Sequence, residues 1–224
     1  MKVAHFSTSH FGNIIELSNQ MSDNCKVLLI LPVVSERHNN RGVDQKQIAS
    51  ISKKVTFFPI DIPRQSNIVS SIITLYLIYK LLKNFNPKIF HVQGFGNAWL
   101  PFIFPFLKNT KIVSTVHDPE PHYGDDFSKG DKFSVFIGKF FTDHFIVHGS
   151  KLKEQVMELF NVNESKLDYV PLNSPQILFK PPKKIETGKK TVLFFGRIWK
   201  YKGLQYLIRA EPLVKAKIPD LKII

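Results

Sequence analysis

The chain has 224 residues, 43% hydrophobic and 22% charged, which suits one large domain, or one domain with part of another, able to bury a core. That excludes disorder as a description of the whole, and a single cysteine, Cys25, excludes an intrachain disulfide. The formal net charge of +13 raises nucleic acid or an anionic membrane as partners. It is unevenly spread, however: Lys180 to Ile224 holds 12 basic and 3 acidic residues, and the rest of the chain 19 and 15. No helix-turn-helix or aromatic RNA-binding pattern accompanies the charge, so no nucleic-acid partner is expected.

The elements read in chain order alternate. Met1-Lys2 leads directly into a first strand, Lys2 to Ser7, with no small-residue cleavage pattern, so a cytoplasmic location is expected. Asn13 to Met21 follows as a helix, with Ile14, Leu17 and Met21 at helical spacing. Cys25 precedes Lys26 to Leu31, a continuous apolar run typical of a strand buried on both faces, and is expected as a buried structural thiol. Ser35 to Gln47 is polar and reads as a loop, Val55 to Pro59 as a third strand, and Ser66 to Lys83 as a long helix ended by Asn84 and Pro87. The apolar run Ile68 to Tyr79 is broken by Ser70, Ser71 and Thr74 and closed by Lys80 and Lys83, short of the roughly 20 residues that span a bilayer. It predicts a buried or interfacial helix. Lys88 to Val92 and Lys111 to Val116 read as strands around a Pro-interrupted helix, Ala98 to Leu107. Lys132 to Phe141 is a helix, His144 to Val147 a strand, and Lys151 to Phe160 a helix with Ser150 as its N-cap.

This alternation predicts an α/β fold, a mainly parallel Rossmann-like sheet with helices on both faces, over residues 1–174. Residues 175–190, with Pro175, Pro181, Pro182 and Gly188 among lysines, read as a linker. The pattern restarts at 191–224 with a strand from Thr191, a helix from Leu204 and a strand from Leu221, a second domain that opens and is incomplete.

In open parallel sheets, ligands gather beyond the carboxyl ends of the strands. Polar residues fall at four such ends: His10 and Gly12; His91 with Gln93 and Gly94; His117 and Asp118; and His148, Gly149 and Ser150. In Ser114 to His122 two prolines keep an extended loop that displays His117, Asp118, Glu120 and His122. Metal ligation and hydrogen bonding to sugar hydroxyls are both open uses, and no second cluster with ligand spacing supports a metal. Farther on, Gly196 and Arg197 end a strand and Lys202 and Gly203 open a helix. A backbone able to approach closely, a guanidinium fork, a point charge and a helix start suit a diphosphate, and equally describe a solvated basic turn.

The stretch Gly196-Arg197-Ile198-Trp199-Lys200-Tyr201-Lys202-Gly203, followed by Leu207-Ile208 and Ala210, resembles the Gly-Arg…Lys-Gly signature of the GT-B glycosyltransferases of family 4. Asp143 to Ser150 and Ser114 to His122 resemble that family's acceptor domain. The resemblance implies a retaining glycosyltransferase that takes a nucleotide-sugar, without a metal, and delivers the sugar to a glycan or lipid-linked acceptor of bacterial surface polysaccharide. It implies Gly12, Arg197 and Lys202 at the donor diphosphate, and His117 at the reaction centre. His91, Asp118 and His148 would serve the acceptor. A lipid-linked acceptor and a lysine-rich surface also favour peripheral contact with the anionic inner face of a membrane. Two motifs depart from the pattern: His10-Phe11-Gly12-Asn13 where a Gly pair is usual, and Val170-Pro171-Leu172-Asn173 where Pro-His-Gly is frequent. The family's Glu-x7-Glu element and base pocket would fall beyond Ile224, so a truncated chain, or an acceptor-binding part that needs a separate donor domain, is the accompanying expectation.

Overall fold

The computed structural model describes residues 1–34, 42–63, 67–94, 99–120, 129–172, 190–196 and 198–224. The chain divides into two compact units, Met1–Pro119 with Ser128–Phe179, and Glu120–Phe127 with Lys180–Ile224.

The first unit is built on seven strands: β1 (Lys2–Ser7), β2 (Lys26–Pro32), β3 (Thr56–Ile60), β4 (Ile89–Gln93), β5 (Lys111–Val116), β6 (His144–Val147) and β7 (Leu167–Tyr169). They lie in the order β3-β2-β1-β4-β5-β6-β7, and every neighbouring pair is parallel. The order reverses between β1 and β4, which opens a crevice at the carboxyl ends of those two strands. Helix α1 (Phe11–Met21) connects β1 to β2, a short α2 (Gln45–Ala49) precedes β3, and α3 (Ile68–Phe85) crosses from β3 to β4. A 3-10 segment, Leu100–Phe106, leads to β5, and α4 (Lys129–Phe141) and α5 (Ser150–Phe160) precede β6 and β7.

Each face of the sheet has its own core. On one, Ala4, Phe6, Leu28, Ile30, Phe90 and Val92 pack against Ile78 and Leu82 of α3 and Leu100, Ile103 and Phe104 of the 3-10 segment. On the other, Val27, Leu29 and Leu31 pack against Ile14 and Ile15 of α1. Burying a side chain as fully as Phe6 or Phe90 contributes about 1.5–3 kcal/mol. A third cluster joins Phe145 and Val147 to Val156 and Phe160 of α5.

Several local readings need correction. Part of the segment read as a polar loop is α2, started by a capping box in which Asp44 accepts from the Gln47 amide and the Gln47 side chain accepts from the Asp44 amide. Helix α5 begins at Ser150 itself, with Gly149 at the cap and no side-chain cap bond. Strand β7 was not foreseen; three residues, Leu167-Asp168-Tyr169, carry too short a pattern, and pairing with β6 and a His144–Asp168 contact of 2.9 Å hold it. Cys25 is free and half-buried against the α1 side of the sheet.

The second unit, where described, pairs β8 (Thr191–Val192) with β9 (Lys222–Ile223) in parallel and carries α6 (Leu204–Lys215). The linker prediction for 175–190 falls almost wholly on residues outside those described.

Gly42 marks a close backbone approach beside β2. Val43 donates to the Pro32 carbonyl at 2.8 Å, and a Cβ at Gly42 would stand 2.4 Å from the Val33 carbonyl carbon. Backbone cannot swing aside as a side chain does, so Gly42→Ala should destabilise the fold by about 1–3 kcal/mol. A denaturant midpoint unchanged from the parent chain would contradict this packing.

Candidate functional site

A parallel strand covered on both faces is normally apolar throughout. The central strands here break that rule on the α1 side. His5 and Ser7 of β1, His91 and Gln93 of β4 and Thr115 of β5 are all buried. The register pairs His5 with His91, Ser7 with Gln93, and Gln93 with Thr115, so the polar groups form a ladder leading to the carboxyl edge. The rings of His5 and His91 meet edge to face with centroids 5.3 Å apart. His91 Nε2 is hydrogen-bonded to Thr115 Oγ1 at 2.7 Å, and Ser18 Oγ of α1 stands 3.4 Å from His5 Nδ1. His5 Nε2 is buried without a hydrogen-bond partner.

Above this ladder three imidazoles form a row. His10 stacks on His117 with centroids 3.9 Å apart and planes 12° apart, and His148 follows at 5.2 Å from His117. The His117 Nε2–H donates to Gln93 Oε1 at 3.0 Å, which leaves Nδ1 as an acceptor. The His148 Nδ1–H donates to the Val170 carbonyl at 2.8 Å, which leaves Nε2 buried and without a hydrogen-bond partner. His10 holds a left-handed backbone, φ 53°, at the cap of α1, the conformation for which glycine is usual. Its carbonyl accepts from the Asn13 and Ile14 amides, so α1 starts at Phe11. Gly12 therefore lies in the first turn of α1, not in a loop as its sequence position suggested. That turn has no side-chain cap and no acidic residue, so its free N–H groups and positive dipole end favour an anion.

The row brings together His117 and His148 of the predicted site, adds His10, and has exposed Asp118 beside it. His91 is different: it belongs to the ladder beneath, 7% exposed and held by Thr115, so it supports the row and does not line a surface. In the second unit, exposed Lys202 ends a 3-10 turn with its ammonium 5.0 Å from the centre of the Tyr201 ring. Gly203, φ 73°, caps α6 without a side-chain bond, and Gly196 takes φ 124°. Arg197 lies outside the described residues. Among the described residues no three His, Cys, Asp or Glu side chains are grouped for a metal ion. His5 was missed as a site residue, and His10 and Gln93, read as polar residues at strand ends, were given no role. Polar residues two apart in otherwise apolar central strands, His5 with Ser7 and His91 with Gln93, were the signal.

Burial is the main influence on these imidazoles. It lowers His5 to about 3, helped by His91, and His91 to about 4, helped by His148. His117 falls to about 3 through burial, then His10, His148 and His91. His10 is lowered too, by burial and then His148, with Asp118 opposing. An unfolded imidazole takes up a proton below about 6.5 while the folded one does not, so the unfolded chain binds more protons and stability falls with pH. The loss should run from about pH 6.5 down to about pH 4 for His91 and about pH 3 for His5 and His117, reaching about 2 kcal/mol for each fully buried imidazole at pH 5. Denaturant midpoints at pH 7.5 and 5 measure it; equal midpoints would mean the imidazoles are not held neutral.

Residues 14–172 match the sequence model of Glycosyltransferase Family 4. The uncharacterized glycosyltransferase MJ1607 of Methanocaldococcus jannaschii is 30% identical over 119 residues, 46% of this chain and 30% of that protein. Among solved structures, sucrose-phosphate synthase of Thermosynechococcus elongatus aligns over 100% of this chain and 61% of its own, with a TM-score of 0.69 and 13% identity. Anabaena HepE, solved in complex with UDP and glucose, aligns over 100% of this chain and 60% of its own, with a TM-score of 0.67 and 12% identity. The chain thus spans less than two thirds of each relative. The structural likenesses give the fold, a GT-B Rossmann-like domain, and the sequence match over most of the first unit gives the lineage. The chain belongs to Glycosyltransferase Family 4.

Proposed function

We propose that this chain serves a retaining glycosyltransferase that moves a sugar from a nucleotide-sugar to a glycan or lipid-linked acceptor in bacterial surface polysaccharide assembly, on the cytoplasmic side of the membrane. The observation that carries the reading is the row His10, His117 and His148 at the reversal of strand order, beside the uncapped start of α1, with His10 and His117 held neutral by burial. Neutral imidazoles exchange hydrogen bonds with hydroxyls and leave the binding of phosphate charge to other groups. The complex of Anabaena HepE with UDP and glucose supports a nucleotide-sugar as the donor class.

His117, held down to about pH 3 as a neutral ring, is too weak a base to take a proton outright from an acceptor hydroxyl near pH 7. Its free Nδ1 lone pair instead accepts from a hydroxyl of the transferred sugar and fixes that sugar at the reaction centre. The exposed Asp118 carboxylate offers acceptors to the incoming hydroxyls, and His148, with Nε2 buried, backs His117 on the acceptor side. His91 acts through its neighbours as a positioning residue. On the donor side, negative charge grows on the departing nucleoside diphosphate, and preorganised positive groups lower that barrier. The Gly12 amide turn is assigned this role on its geometry, and Lys202 and Arg197 on the sequence motif alone. With these cations assigned to the diphosphate, no metal is invoked.

Calorimetric titration of a version of the chain extended through a complete donor domain, with UDP and a panel of nucleotide-sugars, tests the reading. Binding is expected, with Lys202→Ala weakening UDP by about tenfold or more, as for a hydrogen bond to a charged group. His117→Ala should weaken nucleotide-sugars while leaving UDP unchanged. Absence of nucleotide binding would remove the transferase assignment, and equal effects of His117→Ala on UDP and on the sugar conjugates would remove His117 from the sugar.

A further inference from the structure

Helix α3 presents an apolar face that is exposed among the described residues. Its inward residues, Ile78 and Leu82, are fully engaged in the core beneath, so the helix is fixed to the sheet. Outward, Ile68, Val69, Ile72, Ile73, Tyr76 and Leu77 are each 46–69% exposed. Among the described residues α3 is the one helix long and apolar enough to cross a membrane by length and composition, yet only 17% of that window is buried. The surface continues sideways. Phe106 of the 3-10 segment meets Tyr79 with centroids 6.4 Å apart, and Phe102 meets Phe133 of α4 at 5.8 Å. Phe136 and Phe140 extend it with rings half or more exposed.

Along α3 itself the charge has one sign. Helix α3 contains no acidic residue and ends in Lys80 and Lys83. Lys83 lies 6.0 Å from the Tyr79 ring, and Lys139 lies 5.7 Å from the rings of both Phe136 and Phe140. Between the end of α3 and the 3-10 segment lies a cleft of about 410 Å³ lined by Tyr79, Lys83, Asn86, Phe106, Lys108 and Asn109. Aliphatic side chains, interfacial aromatics and lysines able to reach headgroups are the composition of a helix lying in a bilayer surface. A protein partner would be expected to answer a basic rim with carboxylates, whereas an anionic leaflet supplies both the hydrocarbon and the negative charge.

We propose that the surface formed by α3, the 3-10 segment and α4 docks in the plane of an anionic lipid bilayer. The apolar face of α3 enters the acyl boundary, and Lys83 and Lys108 reach lipid phosphates from the cleft. The inference does not require the transferase reading, because lipid binding and nucleotide binding are measured separately. Sedimentation of the chain with vesicles of phosphatidylglycerol and phosphatidylcholine, against phosphatidylcholine alone, is the test, with light scattering in the absence of lipid. Binding is expected to the anionic vesicles only, reduced by about tenfold or more in Ile72→Glu with Tyr76→Glu and in Lys83→Glu with Lys108→Glu. Unfolding midpoints should stay unchanged, since all four side chains are outside the core. No binding to anionic vesicles, or equal binding by the Ile72→Glu, Tyr76→Glu variant, would overturn the proposal. So would a lipid-free dimer that this variant converts to a monomer, because a second copy would then cover the face.

Discussion

The centre of the sheet tolerates imidazoles only if they carry no charge. His5 and His91 sit at neighbouring positions on β1 and β4, facing the same side, with almost no solvent between them. A proton on either would lose its hydration, and a second imidazole, His91 for His5 and His148 for His91, acts in the same direction as burial. The constraint spreads upward. Stacking of His10 on His117 at 3.9 Å is comfortable between neutral rings and opposed by charge on both. The crevice at the strand reversal is therefore a surface of hydrogen-bond donors and acceptors, in a chain whose excess positive charge lies elsewhere.

That separation of polarity from charge organises the functional reading. A nucleotide-sugar has two unlike halves, a polyhydroxylated ring and a diphosphate. The row of imidazoles matches the first. The second calls for a positive end that does not depend on an imidazole proton, and the uncapped start of α1 offers one. Dividing the work this way removes any need to protonate a buried histidine in order to hold phosphate.

Sequence showed most clearly those features set by strong, repeated physical demands. The limits of β1, β5 and β6 are those read from the apolar runs, since strands packed on both faces leave little freedom at their ends. The Asp44–Gln47 capping box was legible in principle, but the polar residues around it hid a helix of one turn. His91 was taken for an edge residue because its position in the chain is close to a strand end. Only the register, which sets it beside His5 and within reach of Thr115, shows that it lies beneath the site. Similarly, no local pattern told His10 apart from any turn residue. Its left-handed backbone is imposed by the sharp passage from β1 into α1, and that passage aims its ring at His117.

The exposed face of α3 completes the argument about where apolar surface is used. Its inner side chains close a core that is already continuous across β1, β2 and β4, so that core does not need the outward ones. They extend across the 3-10 segment to α4 as a single aromatic and aliphatic tract bordered by lysines. Because α3 runs from the carboxyl end of β3 back to the start of β4, its most exposed residues, 68–77, lie toward the edge of the sheet that carries the imidazole row. A bilayer meeting that tract would place lipid-borne hydroxyls near the same edge. The fold thereby links the surface that would receive a membrane to the surface that would receive a sugar acceptor, through one helix whose direction is set by the parallel strands it joins.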